Sequence, residues 1–440
     1  MAVAAVAVLS SCSSNSDAIL GDGGQQNEGV TTFTATIEGG ATRVTLNDKT
    51  PNWEENDVIS VDGHDYTASA AGTNVTFVGS GATESTHHSY FPKALYNGGT
   101  PTLPGVQTYS ASKFDMPMYA ECTDANLSFK NLCGVLAITV TSGTVKTISV
   151  ISDATPLSGA FDVTSDAAVL KAPYSNQVIL DCGTGVTASN TVFYVAVPAF
   201  SNANLQITVS DGTPVNDKVA QKTGVTIARN TIYTINFPAS PSAKADNKKY
   251  HAWVQFEASG DNAVKWATMN IGASAETDAG CYGNLYKWGE TPTNGNANTY
   301  TMNDIAGTNA DVAKATWGTV GSLTWQMPTS AMLTNLKNNY KWEKVGDFNK
   351  KSSYSGYNVY LKKSSVGATY DASTDVHLFL PAAGCNTGNG VSNQGSYGSY
   401  WSSSPYNSQN NAYRLYFFRG SQGVDYDNRT YGSSVRAVLK

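Results

Sequence analysis

Short apolar runs separated by turn residues fill the first part of the chain. Within residues 30–150 they include Thr31 to Glu38, Asp57 to Val61, Asn74 to Val78 and Val135 to Val140. Alternating apolar and polar positions predict half-buried strands, and the Gly, Asn and Asp residues between them predict tight turns. Many short strands in this order indicate a β-sandwich.

A second series of alternating runs occupies residues 151–238. Its strands include Thr191 to Val197, Leu205 to Val209 and Thr231 to Phe237. This pattern predicts a second sandwich directly after the first. Residues 239–250 combine Pro, Ser, Ala and Lys without periodicity, which is typical of an exposed linker between domains.

Residues 251–440 differ, because long segments rich in Asn, Gly, Ser and Tyr separate the apolar runs. One helix is predicted where Thr329 and Ser330 can cap its start and Leu333 and Leu336 follow at helical spacing. The sequence therefore predicts a mainly β protein with two tandem β-sandwiches, followed by a domain that contains both helix and strand.

Composition narrows the function. The chain has 440 residues, enough for about two to four domains, and 41% of them are hydrophobic. Only 14% are charged and the net charge is −6, so the basic surface that neutralises phosphates is missing. We do not expect nucleic acid as a partner.

The N-terminal sequence predicts export and anchoring. Residues 1–11 form a short apolar run that is typical of the end of a signal peptide, and Leu9-Ser10-Ser11-Cys12 resembles a bacterial lipobox. Residues 12–29 are polar and Gly-rich, as expected for a tether. We expect a palmitate-bearing outer-membrane lipoprotein that touches the membrane only through the lipid on Cys12. The alternative is an incidental cysteine near a terminus.

Neither a metal site nor an active site is evident in the sequence. The five cysteines after Cys12 are an odd, widely spaced set, which does not predict a disulfide framework. No HExxH or GxSxG motif occurs, and Asp425 and Asp427 without further ligands are more typical of turns than of a Ca²⁺ site. We expect no cofactor, no metal and no enzyme activity. A hydrolase with carboxylates that meet only in space, or an oxidase using Cys281 and Cys385, stays open as an alternative.

Residues from about 30 to 240 resemble the fimbrillin family of Bacteroidetes surface pilins. The resemblance lies in the order of several short stretches: Trp53 to Val61, Tyr90-Phe91-Pro92, Leu103-Pro104, Met118-Tyr119-Ala120, Leu127 to Gly134, Leu157-Ser158-Gly159 and Tyr194 to Pro198. It implies transthyretin-like, Greek-key sandwiches and partners that are other pilin subunits, joined by donor-strand exchange. In such pilins an Arg-directed protease removes an N-terminal strand. Cleavage between Arg43 and Val44 is the matching expectation, and an ordinary surface arginine is the alternative.

Residues 252–440 resemble the Fibrobacter succinogenes major paralogous domain, a module with a C-type-lectin-like fold. The stretches that carry the resemblance are Trp266 to Gly272, Gly283 to Thr291, Trp325 to Thr329, Leu378 to Gly384, Tyr400 to Ser404, Ala412 to Phe417 and Ser434 to Val438. It implies an α+β domain. Because this extra domain occupies the place where stalk pilins carry their donor strand, the resemblance indicates a subunit at a pilus tip.

A ligand site is predicted in the loops of the last fifty residues. From Asn386 to Ser434 about three in five residues are Tyr, Ser, Asn or Gly, a composition similar to antibody paratopes. The alternative is an ordinary loop-rich domain. The predicted ligand-binding residues are Tyr397, Tyr400, Tyr406, Asn407, Asn410, Asn411, Arg419, Gln422, Asp425, Tyr426, Asn428 and Tyr431. We expect them to contact a host or bacterial surface glycan or protein.

The favoured function is therefore a surface-exposed tip adhesin incorporated into a fimbrium. A lipoprotein that binds glycan or protein without polymerising is the first alternative, and a surface hydrolase or oxidase is the second.

Overall fold

The structure is a computed structural model that describes most of the chain. The described residues are 29–38, 52–97, 99–111, 114, 116–163, 168–213, 216–237, 250–260, 263–276, 280–293, 301–346, 354–361, 375–418 and 420–440. The predictions for Cys12, Arg43, Val44 and Arg419 lie outside these residues, as do most of the predicted tether and residues 239–249. The mainly β class is confirmed.

The first core lies inside a closed barrel. In chain order the first strands are β1 (Val30–Ile37), β2 (Val58–Val61), β3 (His64–Ala68), β4 (Asn74–Ala82), β5 (His87–Phe91), β6 (Tyr96–Asn97), β7 (Thr100–Leu103), β8 (Val106–Thr108), β9 (Met118–Cys122) and β10 (Asn126–Asn131), with a 3-10 helix at Lys93–Leu95. The barrel order is β1-β10-β9-β5-β2-β3-β4. Alternate side chains point inward, and the Trp53 ring meets Phe77, Phe91 and Phe129 edge-on.

The second core lies between longer strands. They are β11 (Cys133–Ser152), β12 (Ser158–Asp162), β13 (Val169–Ser175), β14 (Gln177–Pro198), β15 (Phe200–Ser210), β16 (Lys218–Ile227) and β17 (Ile232–Asn236). One sheet has the order β16-β15-β11-β14-β8, with β17 paired to β11. Strands β7, β12 and β13 belong to a different sheet.

The first two cores meet earlier in the chain than the sequence suggested. The expected boundary at residue 150 falls inside β11, whose inward-facing residues from Leu136 to Val150 belong to the second core: Leu136, Ile138, Val140, Val145, Ile148 and Val150. Strands β11 and β14 pair along nearly their whole length, with one register shift between Val145 and Thr147. This pairing joins apolar runs that the sequence suggested were separate strands. The structure therefore changes from the first core to the second near Leu132.

In its described residues, the C-terminal region mixes short strands with two α-helices. They are β18 (Trp253–Gln255), β19 (Lys265–Ala267), α1 (Val312–Trp317), β20 (Thr319–Val320), β21 (Leu323–Gln326), α2 (Ser330–Asn339), β22 (Tyr340–Val345), β23 (Gly356–Leu361), β24 (Leu378–Pro381), β25 (Cys385–Asn386), β26 (Val391–Ser392), β27 (Tyr397–Pro405), β28 (Asn411–Phe418), β29 (Ser421–Asn428) and β30 (Val438–Leu439). The predicted helix is α2: Thr329 caps it by accepting the Met332 N–H, and Leu333 and Leu336 are buried. No helix in the described residues is long and apolar enough to span a membrane.

A single sheet joins the second core to the C-terminal region. Its order is β20-β21-β30-β19-β18-β13-β12-β7-β6, so β18 pairs directly with β13. Buried Asn176 reinforces the junction, because its side-chain oxygen accepts the Trp253 N–H at 2.7 Å and its amide donates to Ser152 O at 2.7 Å. Tyr250, the last residue of the expected linker, is buried. The C-terminal region is therefore docked against the second core.

Candidate functional site

Strands β27, β28 and β29 form a three-stranded antiparallel sheet that carries most of the predicted site. One face is apolar: Leu415 and Phe417 pack with Leu333 and Leu336 of α2. Because side chains alternate across a strand, the residues between them face the other way. Arg414, Tyr416 and Phe418 therefore lie on the outer face.

Arg414 is the centre of this outer face. Its guanidinium carbon lies 5.7 Å from the Tyr397 ring centroid and 5.6 Å from that of Tyr416. Its Nη1 donates to the Tyr397 hydroxyl and to Ser399 Oγ (3.2 Å), and pairs with Asp427 Oδ2 at 2.9 Å. We call Tyr397, Arg414, Tyr416 and Asp427 the arginine–tyrosine face. It offers aromatic surface next to a guanidinium whose charge is balanced by Asp427.

The hydroxyl of Tyr397 stays protonated on this face. Burial is the main cause that raises the pKa of Tyr397, and the charge of Arg414 only partly opposes it. At neutral pH the hydroxyl can therefore both accept from Arg414 and donate to a ligand.

A second aromatic group lies at the other end of the sheet. The Tyr406 and Tyr426 rings stack with centroids 3.9 Å apart, and Tyr413 meets Tyr406 edge-on at 5.2 Å. Tyr426 is 43% exposed. We call these three residues the tyrosine stack. Such rings combine a broad apolar contact area with hydroxyls that hydrogen-bond, which suits sugars and peptides alike.

A buried arginine fixes the turns that carry the tyrosine stack. Arg429 donates from Nε to Asn411 O at 2.9 Å and from Nη1 to Thr301 O at 2.8 Å, and its guanidinium lies 4.1 Å from the Trp288 ring centroid. These contacts tie the turn at residues 405–411, which carries Tyr406, to the core.

The structure brings most predicted ligand residues to this sheet and its turns. Asn407, Asn410, Asp425 and Tyr426 are exposed, and Tyr397, Tyr406, Asn411, Gln422, Asn428 and Tyr431 are partly buried. Asn428 has a structural role as well, since its side-chain oxygen accepts from the Thr430 N–H and hydroxyl.

The prediction for Tyr400 is wrong. The side chain is only 1% exposed, and its hydroxyl donates to Pro381 O in the interior. Sequence reasoning also missed Arg414, Tyr413 and Tyr416, because they looked like members of a core strand. For Arg414 and Tyr416 the alternation in β28 was the available signal, because buried Leu415 and Phe417 place their direct neighbours on the other face.

A separate feature lies at the first strand. Strand β1 sits between β4, to which it is antiparallel, and β10, to which it is parallel. It contributes buried Phe33, Ala35 and Ile37 to the barrel core. Directly after it, Glu38 pairs with Arg229, which lies in the turn between β16 and β17 of the second core. Strand β1 therefore closes the barrel and also touches the neighbouring unit.

The described cysteines form no disulfide bonds, and most of them are buried. Burial raises the pKa of the Cys122 and Cys182 thiols to about 11 and also raises that of Cys133. These three thiols are therefore poor nucleophiles at neutral pH. Among the described residues, no group of three or more His, Cys, Asp or Glu side chains is placed to hold a metal ion.

Comparison with known families gives one partial match. Residues 368–438 match the model of a domain of unknown function, DUF8237, which includes β27, β28 and β29. No curated protein sequence matches the chain significantly. The resemblance of residues 252–440 to the Fibrobacter succinogenes major paralogous domain stays a prediction.

Several solved structures are distantly similar. A candidate cell adhesion protein from Bacteroides uniformis is 19% identical, with 49% of this chain and 94% of that chain covered and a TM-score of 0.31. A fimbrial protein from Bacteroides ovatus is 10% identical over 94% of this chain and 100% of that chain, with a TM-score of 0.26. A C-terminally truncated tip fimbrial protein from Porphyromonas gingivalis is 11% identical over 48% and 96%, with a TM-score of 0.24. All three scores lie below 0.5.

Proposed function

We propose that this protein is a cell-surface fimbrial subunit that assembles by strand exchange and presents its C-terminal region as an adhesin. The observation that carries the proposal is β1, an N-terminal strand that closes a barrel. The segment that follows β1 contains Arg43, the expected cleavage position. The lipid expected on Cys12 would hold the subunit at the outer membrane until it is cut.

Loss of β1 would open the barrel along both neighbouring edges. Phe33 is paired with Phe77 of β4, and Ile37 with Phe129 of β10. Without β1, the backbone groups of both strands lose partners and an apolar slot meets water. An exposed edge of this kind is stabilised when a strand from another chain is added.

The C-terminal region supports the proposal of a terminal position in the fimbrium. Strand β30 lies between β19 and β21 in the nine-stranded sheet, and Val438 and Leu439 are buried. A strand held on both sides is not free to enter another subunit. The chain would accept a strand without donating this one, as expected of a tip subunit.

Assembly can be tested with purified protein that is cut at Arg43 by an Arg-specific protease. We expect the cut protein, mixed with stalk pilins from the same cell, to form complexes visible by size-exclusion chromatography and electron microscopy. Uncut protein and an Arg43→Gln variant serve as controls and should stay monomeric. Cut protein that still forms no complex would favour the alternative of a surface lipoprotein that does not polymerise.

Adhesion can be tested separately by screening the full chain against glycan and host-protein arrays. The arginine–tyrosine face and the tyrosine stack support this part of the proposal, because they place aromatic rings, amides and charge on one sheet. We expect any hit to be lost when Tyr406, Tyr426 and Asn428 are changed to Ala. Retention of binding in that variant would rule out the tyrosine stack as the binding site.

A further inference from the structure

Glu38 forms a polar clamp at the end of β1. Both its carboxylate oxygens face Arg229: Nη1 donates to Oε1, and Nη2 donates to Oε2 at 3.3 Å. The Asn131 N–H also donates to Glu38 Oε1, at 3.0 Å. A carboxylate held by two guanidinium nitrogens and one amide is a strong, directional arrangement.

The partners of Glu38 would stay behind if β1 left. Arg229 would keep Asn131 O, to which Nη1 donates at 2.8 Å, but its carboxylate would be gone. The Asn131 N–H would lose its acceptor. Arg229 and Asn131 lie at the junction of the two cores. In the ion pair there, the Arg229 side chain is 30% exposed and the Glu38 side chain is 22% exposed. A partly buried cation without its anion is unfavourable, so the open site favours a new carboxylate.

The rest of the slot filled by β1 determines which side chains fit at the other positions of the strand. Phe33 is fully buried between the Tyr66 and His87 rings, which it meets edge-on. The indole N–H of Trp53 donates to Ala35 O at 3.0 Å, and the Ala35 side chain is fully buried. A larger side chain at this point would collide with the packed interior. Ile37 fills the end of the slot, directly before Glu38.

From these contacts we infer that the slot filled by β1 selects its donor strand by an acidic residue at the position of Glu38. In the donor strand this acidic residue follows an apolar, a small and a second apolar residue at alternate positions. The inference rests on the proposed strand exchange and adds the chemistry of the partner. The occupant is a strand of a neighbouring subunit with a large apolar residue, a small residue and a second apolar residue at alternate positions. A carboxylate follows at once and binds Arg229 and the Asn131 N–H.

A peptide-binding titration on the full chain tests the inference. A site-specific protease sequence is inserted after residue 43, the chain is cut, and β1 is removed by gel filtration in moderate urea. Fluorescent peptides with the sequence of residues 29–38 are then titrated against the refolded chain. We expect the Glu38→Gln peptide to bind about 10- to 100-fold more weakly than the unchanged peptide, as is typical of a lost hydrogen-bonded charge pair.

Two controls locate the effect. On an Arg229→Gln chain the two peptides should bind alike, because the charged partner is gone. A Thr32→Gln peptide should bind like the unchanged one, since Thr32 is exposed, whereas an Ala35→Leu peptide should bind poorly if the peptide occupies the slot.

The outcomes separate the two claims. Equal binding of the Glu38 and Glu38→Gln peptides to the unchanged chain would overturn the clamp and leave strand exchange standing. Failure of the unchanged peptide to bind the cut chain, with the remaining fold intact by circular dichroism, would overturn strand exchange and the clamp together.

Discussion

Arg414 and Asp427 form an ion pair on neighbouring strands, with Nη1 and Oδ2 2.9 Å apart and side-chain exposures of 13% and 25%. The pair holds the guanidinium between the rings of Tyr397 and Tyr416. Asp425 of β29 is the register partner of Arg414. A second carboxylate therefore lies close to Arg414, on the same strand as Asp427. The charge of Arg414 is therefore fixed in place but already balanced.

Removing the charge of Asp427 should loosen the arginine–tyrosine face without unfolding the domain. We expect Asp427→Asn to lower the free energy of unfolding by about 1 kcal/mol, because the pair is only partly shielded from water. Urea unfolding followed by fluorescence measures this change. Asp304→Asn is a comparison on another part of the domain, where the exposed carboxylate accepts from Ser404 Oγ. A loss above 4 kcal/mol for Asp427→Asn would mean that the pair supports the fold itself.

Enlarging Ala35 should weaken the hold on β1. Leu at this fully buried position overfills the space beside Trp53, and we expect a loss of about 1–3 kcal/mol in stability and faster release of β1 after cleavage. Thr32→Leu is the matched control, because it adds the same side chain to an exposed position of the same strand. Release of β1 is followed by size-exclusion chromatography. Equal release from both variants would show that the slot does not select a small residue.

Changing Asn176 should loosen the junction between the second core and the C-terminal region. Asn176→Leu leaves the Trp253 N–H and Ser152 O without their buried partner, at roughly 1–3 kcal/mol for each unsatisfied group. We expect faster hydrogen exchange in β18 and β13, while the barrel is unchanged. Ser201→Ala is the control, because Ser201 is an exposed residue of β15 in the same part of the chain. It should leave hydrogen exchange in β18 and β13 unchanged. Unaltered exchange in β18 after Asn176→Leu would show that strand pairing alone holds the junction.

The barrel should lose stability in alkali because of Tyr90. Burial is the largest cause that raises the pKa of Tyr90 from 10.0 to about 12, and the neighbouring Tyr96 adds to it. Below pH 10 both the folded and the unfolded chain keep the proton. Between about pH 10 and 12 the unfolded chain ionises first, so stability falls as pH rises. We expect Tyr90→Phe to reduce this fall in urea-unfolding experiments. An identical pH profile for the variant would exclude Tyr90 as the cause.

Local patterns in the sequence were sufficient for several of the strands and for one helix. Alternation around Phe33, Ala35 and Ile37 identifies a strand with one buried face, because the side-chain period of a strand is two. The Thr329 cap and the spacing of Leu333 and Leu336 identify α2. These signals, like the alternation in a strand, lie within a few residues of each other in the sequence. The segment rich in Tyr and Asn near the end of the chain coincides with β27, β28 and β29.

Only the tertiary structure decided which face of that sheet is buried and which units touch. Tyr400 and Tyr397 have similar local surroundings, yet packing against Phe417 buries the first and leaves the second beside Arg414. Glu38 and Arg229 are 191 residues apart in sequence, and β13 and β18 pair across the segment expected to be an exposed linker. Such contacts depend on how distant segments pack together, whereas periodicity and capping report only on neighbours along the chain.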